Sequence, residues 1–446
     1  MADQRRARRC FRHATVLPAA RIRPKGCDGS GTFPLASRLE ESGAEPCRDG
    51  AAAHGGKETH GCKNKHMKKV KGEIMKHIGV GGIVFLALGT QLHAGGLERA
   101  DQSVGVLFEK GRHLEFGIVT VSPAVSGVGA LVTPGAQSGD LAQSFQNLRF
   151  AYKADINEKL SYAIIFDQPY GSNVAYPSSS FFAAGANAEL TAHALTGILQ
   201  YNIAEPGSAL GGQLSVYGGA RAQYIEASAN VPFLNGYKAT TDSNVGFGYV
   251  AGVAWERPEL GMRVSLTYTS EIKNELDTQE SFGANPATAT KTDIDTPESI
   301  SLEFQTGLNP KTLLFGSVRW VPWGDFDVSP PLYTGVTGSP LAFFADDRIT
   351  YRLGIGRKIN DIWTVFGEIG YEETTGSPTT NLTPVDGFFS YSLGATYKKD
   401  RTRITIAARY ADVGDANSVL GAAVPAAQFT DNSLWGVGIR VAIDLN

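Results

Sequence analysis

The sequence predicts an all-β protein, a 14-stranded antiparallel transmembrane β-barrel with a short N-terminal hatch inside. Three observations carry this. Apolar and polar residues alternate with period 2 in segment after segment, short and long connections alternate between those segments, and aromatic residues gather at segment ends. Composition agrees, because 52 glycines and 10% aromatics suit sheet with many turns. No apolar run is long enough for a spanning helix.

Residues 1–66 hold all four cysteines (Cys10, Cys27, Cys47, Cys62) and show no sustained periodicity. From Met67 the character changes: Lys68, Lys69, Lys71 and Lys76 precede the apolar run Ile78–Leu88, and small Ala94 follows. That order of basic, apolar and small residues is a secretory signal peptide over 67–94, with cleavage expected after Ala94. Residues 1–66 then read as a disordered, non-native extension upstream of a true start at Met67 or Met75. The rival reading is a zinc module, but cysteine spacings of 17, 20 and 15 fit no paired-ligand pattern.

Residues 95–112 read as the hatch and 113–446 as the barrel. From Gly95 onward there is no cysteine, so disulfides do not hold the exported product together. Its 24 basic against 36 acidic residues argue against nucleic acid, which needs clustered cations. In Met262–Glu271 the apolar face is Met262, Val264, Leu266 and Tyr268, opposed by Arg263, Ser265, Thr267, Thr269 and Glu271. Arg401–Tyr410 and Leu434–Leu445 alternate in the same way.

Short turns are read at Ile156-Asn157-Glu158, Ala204–Gly207, Arg257-Pro258-Glu259, Leu308-Asn309-Pro310, Ile359-Asn360-Asp361 and Lys398-Lys399-Asp400. Longer loops fall at roughly 124–144, 171–186, 229–242, 277–297, 329–346, 374–387 and 413–431. Six short and seven long connections give an even number of strands with tight turns at one end, as outer-membrane barrels have. Tyr351, Trp363, Tyr371, Trp320 and Trp323 are expected at the two membrane interfaces.

An enzymatic reading finds no support. Only His113 and His193 lie beyond residue 94, His193 sits within an alternating strand, and no nucleophile elbow, zinc helix or Walker loop occurs. Gly354-x-Gly356 falls inside a strand, where small residues are the better explanation. No cofactor or metal is expected.

If the apolar face meets lipid, the other face lines the lumen with Arg149, Lys153, Arg263, Glu271, Glu303, Arg319, Arg348, Arg352, Glu368, Arg403, Arg409 and Arg440. Mixed signs predict internal ion pairs. Phe315 and Phe366 fall on the same face, and a lumen mixing aromatics with cations suits an amphiphile whose carboxylate a guanidinium holds. Several long loops are apolar too, at Phe181-Phe182, Val231–Leu234 with Phe233, and Leu332-Tyr333 with Leu341, Phe343 and Phe344. Such loops either pack together or meet a greasy ligand.

Arg263–Lys273 (RVSLTYTSEIK), Thr296–Ser299, Ser317–Phe326 (SVRWVPWGDF) and Tyr351–Gly356 (YRLGIG) with Trp363-Thr364 resemble strands of the FadL/TodX family of outer-membrane transporters for long-chain fatty acids and aromatic hydrocarbons. The similarity covers about Asn147–Leu445. It implies a monomeric barrel plugged by its N-terminal hatch, outer loops that capture ligand, an apolar lumen site, and release that can be lateral into outer-membrane lipid. It also implies basic head-group contacts at Arg348, beside Arg352, and near Arg221. Two departures stand out: the segment before the first strand is short and lacks the family's Asn-Pro-Ala motif, and the chain ends Leu445-Asn446 rather than on an aromatic, which bears on recognition by the barrel assembly machinery.

The resulting expectation is passive uptake of a hydrophobic compound, most readily a long-chain fatty acid, with Arg348, Arg352, Arg319, Arg221, Phe315, Phe366, Phe233 and Phe343 as ligand contacts. The alternatives are an aromatic-hydrocarbon channel on the same barrel, a structural or adhesive barrel, and an outer-membrane lipid hydrolase.

Overall fold

The computed structural model describes residues 97–204, 211–421 and 424–445. The upstream extension read at 1–66 and the signal peptide read at 67–94 lie outside them. Fourteen strands close into one antiparallel barrel. They are β1 (His113–Ala124), β2 (Phe145–Asp155), β3 (Leu160–Asp167), β4 (Asn187–Ala204), β5 (Gln213–Val231), β6 (Asn244–Arg257) and β7 (Met262–Thr269). The circuit continues through β8 (Ser299–Asn309), β9 (Thr312–Val321), β10 (Arg348–Lys358), β11 (Trp363–Glu372), β12 (Phe388–Lys399), β13 (Thr402–Val413) and β14 (Asn432–Asp444). The first and last strands pair from His113↔Asp444 to Ala124↔Ser433, so closure leaves no free edge there.

Alternation is what makes these segments strands. In β7, Arg263, Ser265, Thr267 and Thr269 are buried, while Val264 and Leu266 are 38% and 46% exposed on the outer wall. A water-soluble sheet would bury the apolar set. Here the polar set is inside because the exterior solvent is hydrocarbon. Glu271, placed on the lumen face by sequence, lies past the end of β7 and is exposed, because the two-residue period stops with the strand.

Aromatics band both ends of the wall. At the long-loop end Tyr351, Tyr371, Phe389 and Tyr391 form a row with ring centroids 4.9–6.5 Å apart, and Tyr410 meets Trp435 at 4.9 Å. At the short-turn end Trp363 packs on Tyr397 at 5.1 Å and Tyr152 on Tyr162 at 6.1 Å. Their amphipathic rings suit the headgroup level. Trp323 is a correction. It is 1% exposed and packs inside the mouth against Tyr170, Phe326 and Phe344, because the chain turns inward at Pro322 instead of continuing β9.

The long loops are structured. Tyr237–Thr241, Glu275–Phe282 and Thr288–Asp293 continue the sheet beyond β5, and Gly127–Gly129, Ala416–Leu420 and Val424–Phe429 form a separate small sheet. The apolar loop residues pack on one another: Tyr176, Phe181 and Phe429 in one cluster, Val231, Tyr237 and Leu341 in another. Glu280 joins two loops, accepting hydrogen bonds from Tyr237 Oη at 2.8 Å and from the Leu332 and Tyr333 amides at 3.1 Å. Burial, and then this carboxylate neighbour, raise the Tyr237 pKa.

Candidate functional site

Residues 97–112 run through the barrel interior. Val104, Val106 and Leu107 pack against inward residues of five strands, among them Ala151, Ile165, Ile198, Tyr217 and Val250. Leu97 joins a second apolar cluster nearer the long loops, with Tyr170, Leu190, Ile225, Trp323 and Phe344. Charges pin the same segment. Glu98 accepts from Arg319 Nε at 3.0 Å, Glu109 pairs with Arg403 at 2.9 Å, and the Arg263 guanidinium lies 4.4 Å from the centre of the Phe108 ring. Both members of the Glu98–Arg319 pair are deeply buried, so removing either leaves an uncompensated charge.

The segment also fills a break in the wall. β2 pairs with β1 along Phe145–Lys153, yet with β3 only from Phe150↔Phe166 to Asp155↔Ser161. β3 stops at Asp167, and Gly171–Ala175 rejoins β4 after an interruption at Gln168-Pro169-Tyr170. Side chains and the inner segment span the interruption. Gln168 Oε1 accepts from the Leu148 amide at 2.7 Å, and Asn147 Nδ2 donates to the Gln168 carbonyl at 3.1 Å and the Arg99 carbonyl at 2.5 Å. The Arg99 amide donates to the Pro169 carbonyl, and the Gly171 amide to the Leu97 carbonyl, both at 2.8 Å. Proline offers no N–H to a ladder, which is one local reason the strand breaks there.

Among the described residues, three cavities lie along the lumen. One, near the long loops, is bounded by Leu97, Ala188, Leu190, Ala239, Ile294 and Leu341, with Glu189 at its edge. A neighbour shares Leu97, Ser172, Leu382 and Thr383 with it and adds Glu98, Arg99, Phe145 and Leu434. The third is more polar, lined by Asp101, Arg263, Glu303, Arg319, Arg352 and Glu368 together with Phe315. Leu97–Asp101 separates the apolar pair from the polar one.

The residues singled out by sequence divide among these places. Arg319, Arg352 and Phe315 line the polar cavity, and Phe366 meets Phe315 edge-on at 6.5 Å. These rings have room because Gly354 and Gly394 lie beneath them: a Cβ at either would sit 2.3 Å from the Phe315 or Phe366 ring. Glu368 lies 2.6 Å from Arg409 and 3.9 Å from Arg352, and the Arg352 Nη2 has no hydrogen-bond partner among the described residues. Arg348 donates to Asp386 at 2.7 Å and the Glu373 carbonyl at 3.2 Å, away from all three cavities. Arg221 pairs with Asp167 at 3.2 Å. Phe233 packs on Phe182 in the outer loops, and Phe343 is half-buried in a two-residue ladder with Asp327, its neighbour Phe344 being the one turned into the core.

Arg99 was missed by sequence reasoning, since it lies before the first strand, where no periodicity marks a face. Glu109, His113 and Glu115 bring three metal-type ligand atoms within 4.8 Å of one another. Arg403 stands among them, 3.5 Å from His113 Nε2, and supplies the positive charge that the carboxylates require.

A family model described as "Outer membrane protein transport protein (OMPP1/FadL/TodX)" matches residues 107–424. Among solved structures, a FadL homologue from Pseudomonas aeruginosa aligns with TM-score 0.64 at 14% identity, covering 77% of this chain and 92% of that one. The toluene transporter TodX of Pseudomonas putida gives 0.54 at 12% identity, covering 76% and 91%. The Ralstonia pickettii toluene transporter TbuX gives 0.52 at 14%, covering 76% and 91%. No curated protein sequence matches the chain.

Proposed function

The chain belongs to the OMPP1/FadL/TodX family of outer-membrane transport proteins, and on that premise we propose that it takes up long-chain fatty acids passively. As a family member it is a β-barrel of the Gram-negative outer membrane and a transporter of hydrophobic compounds. The observation that carries the finer reading is the pair of adjoining apolar cavities above Leu97. Their lining is largely aliphatic and aromatic, with Arg99 at one side, which suits an acyl chain with a polar head better than a hydrophilic solute.

The proposed path begins at the apolar outer loops, including Phe233 and Phe343. The ligand enters the cavities above Leu97 and leaves once the inner segment withdraws. Two exits adjoin that segment: the interruption between β2 and β3, opening toward lipid, and the polar cavity below, where Arg352, Arg319, Phe315 and Phe366 would meet the ligand. In this reading Arg348 and Arg221 serve mainly to hold Asp386 and Asp167. In the same reading the barrel works as a monomer and reaches the membrane through the barrel assembly machinery.

One observation favours the second reading, an aromatic-hydrocarbon channel: no basic residue lines the cavity bounded by Ala188, Leu190 and Ala239. Ala239→Trp tests whether that cavity lies on the route. The variant should keep the heat-modifiable mobility of a folded barrel and lose most uptake of labelled fatty acid. Undiminished uptake would place the route elsewhere.

A further inference from the structure

We propose that Arg99 is the head-group receptor of the outer cavities, binding the carboxylate of a monocarboxylic amphiphile whose chain lies above Leu97. This rests on the fatty acid reading and deepens it by assigning the group that holds the carboxylate.

The geometry isolates one cation. Of the residues lining the two outer cavities, Arg99 alone is basic. The other candidate arginines already face acids: Arg348 meets Asp386, Arg319 meets Glu98, Arg221 meets Asp167, and Arg352 shares Glu368 with Arg409. Arg99 makes no ion pair among the described residues, although the Glu189 carboxylate on the lining of the adjoining cavity acts on it at longer range. Its guanidinium carbon lies 4.0 Å from the centre of the Phe145 ring and against the bare α-carbon of Gly171, where a Cβ would come within 2.6 Å of it. Glycine at 171 therefore keeps the space that the guanidinium occupies.

Such a placement suits reversible anion binding. One face of the guanidinium is spent on the ring, while its edge keeps N–H donors for the two oxygens of a carboxylate. Arg99 is half-buried, and an arginine keeps its charge at neutral pH, so it is cationic while only partly solvated. An incoming carboxylate replaces the hydration that burial removed. Arg99 is also part of the segment that fills the wall interruption, through its amide on Pro169 and its carbonyl under Asn147. A head group held there sits beside that opening, with its chain in the apolar space.

The test compares oleate with oleyl alcohol, which has the same chain and no charge. Binding of each is measured to the full barrel in phosphatidylcholine nanodiscs, for the unaltered protein, Arg99→Gln and Arg99→Lys. Arg99→Gln should weaken oleate binding by about tenfold or more while oleyl alcohol changes less than about twofold, and Arg99→Lys should recover part of the loss. Equal losses for both ligands would make Arg99 a packing residue and overturn the proposal. So would undiminished oleate binding by Arg99→Gln, in which case the uptake reading survives. An unaltered protein that binds neither ligand would overturn the uptake reading and the Arg99 assignment together.

Discussion

The Asp386 carboxylate accepts hydrogen bonds from Arg348 Nη1 at 2.7 Å and from the Gly376 amide at 2.7 Å, and both ionic side chains are almost wholly buried. Arg348 therefore ties the 373–387 loop to the lumen wall, whatever else it meets. Arg348→Ala should cost about 3–5 kcal/mol by leaving that carboxylate buried and unpaired. Adding Asp386→Asn should return much of it, as read from urea unfolding of refolded barrel. A double variant no more stable than the single one would remove this structural role. The sequence placed Arg348 correctly on the lumen face but was silent on Asp386, which comes from a loop with no period. Arg99 was illegible for the same reason.

At the scale of elements, the strands were legible because lipid outside and a filled lumen inside impose opposite chemistry on alternate residues, as Val264 and Arg263 show. Where that contrast ends, so did the reading. Tyr237–Thr241, Glu275–Phe282 and Thr288–Asp293 extend the sheet through segments largely expected to be loop, because they have no lipid-facing side to pattern. The break after β3 was hidden as well: the loop is expected from about residue 171, yet Gly171–Ala175 returns to the sheet beside β4. The break has a mechanical consequence. Asn147 and Gln168 face each other across it, and residues 95–446 contain no cysteine to interfere. An Asn147→Cys, Gln168→Cys pair should lower fatty acid uptake under oxidising conditions and regain it with reductant. Uptake indifferent to the cross-link would close the lateral route and leave the polar cavity as the exit.

For the whole molecule, the proposed reading makes the barrel, its largely apolar outer cavities and its inner segment one device: a wall that lipid tolerates, a space for a hydrophobic solute, and an inner segment tied to the wall by Glu98–Arg319 and Glu109–Arg403. The closed wall and the strand count followed from alternation and loop lengths. The division of the lumen into apolar and polar parts did not, because it depends on which inward residues the segment at 97–112 covers. The most direct test is uptake of radiolabelled oleate by Gram-negative cells that lack their own transporter, with and without this protein folded in the outer membrane. The account predicts saturable uptake that depends on the protein and falls with Ala239→Trp. A folded, surface-exposed barrel that confers no oleate uptake would contradict it.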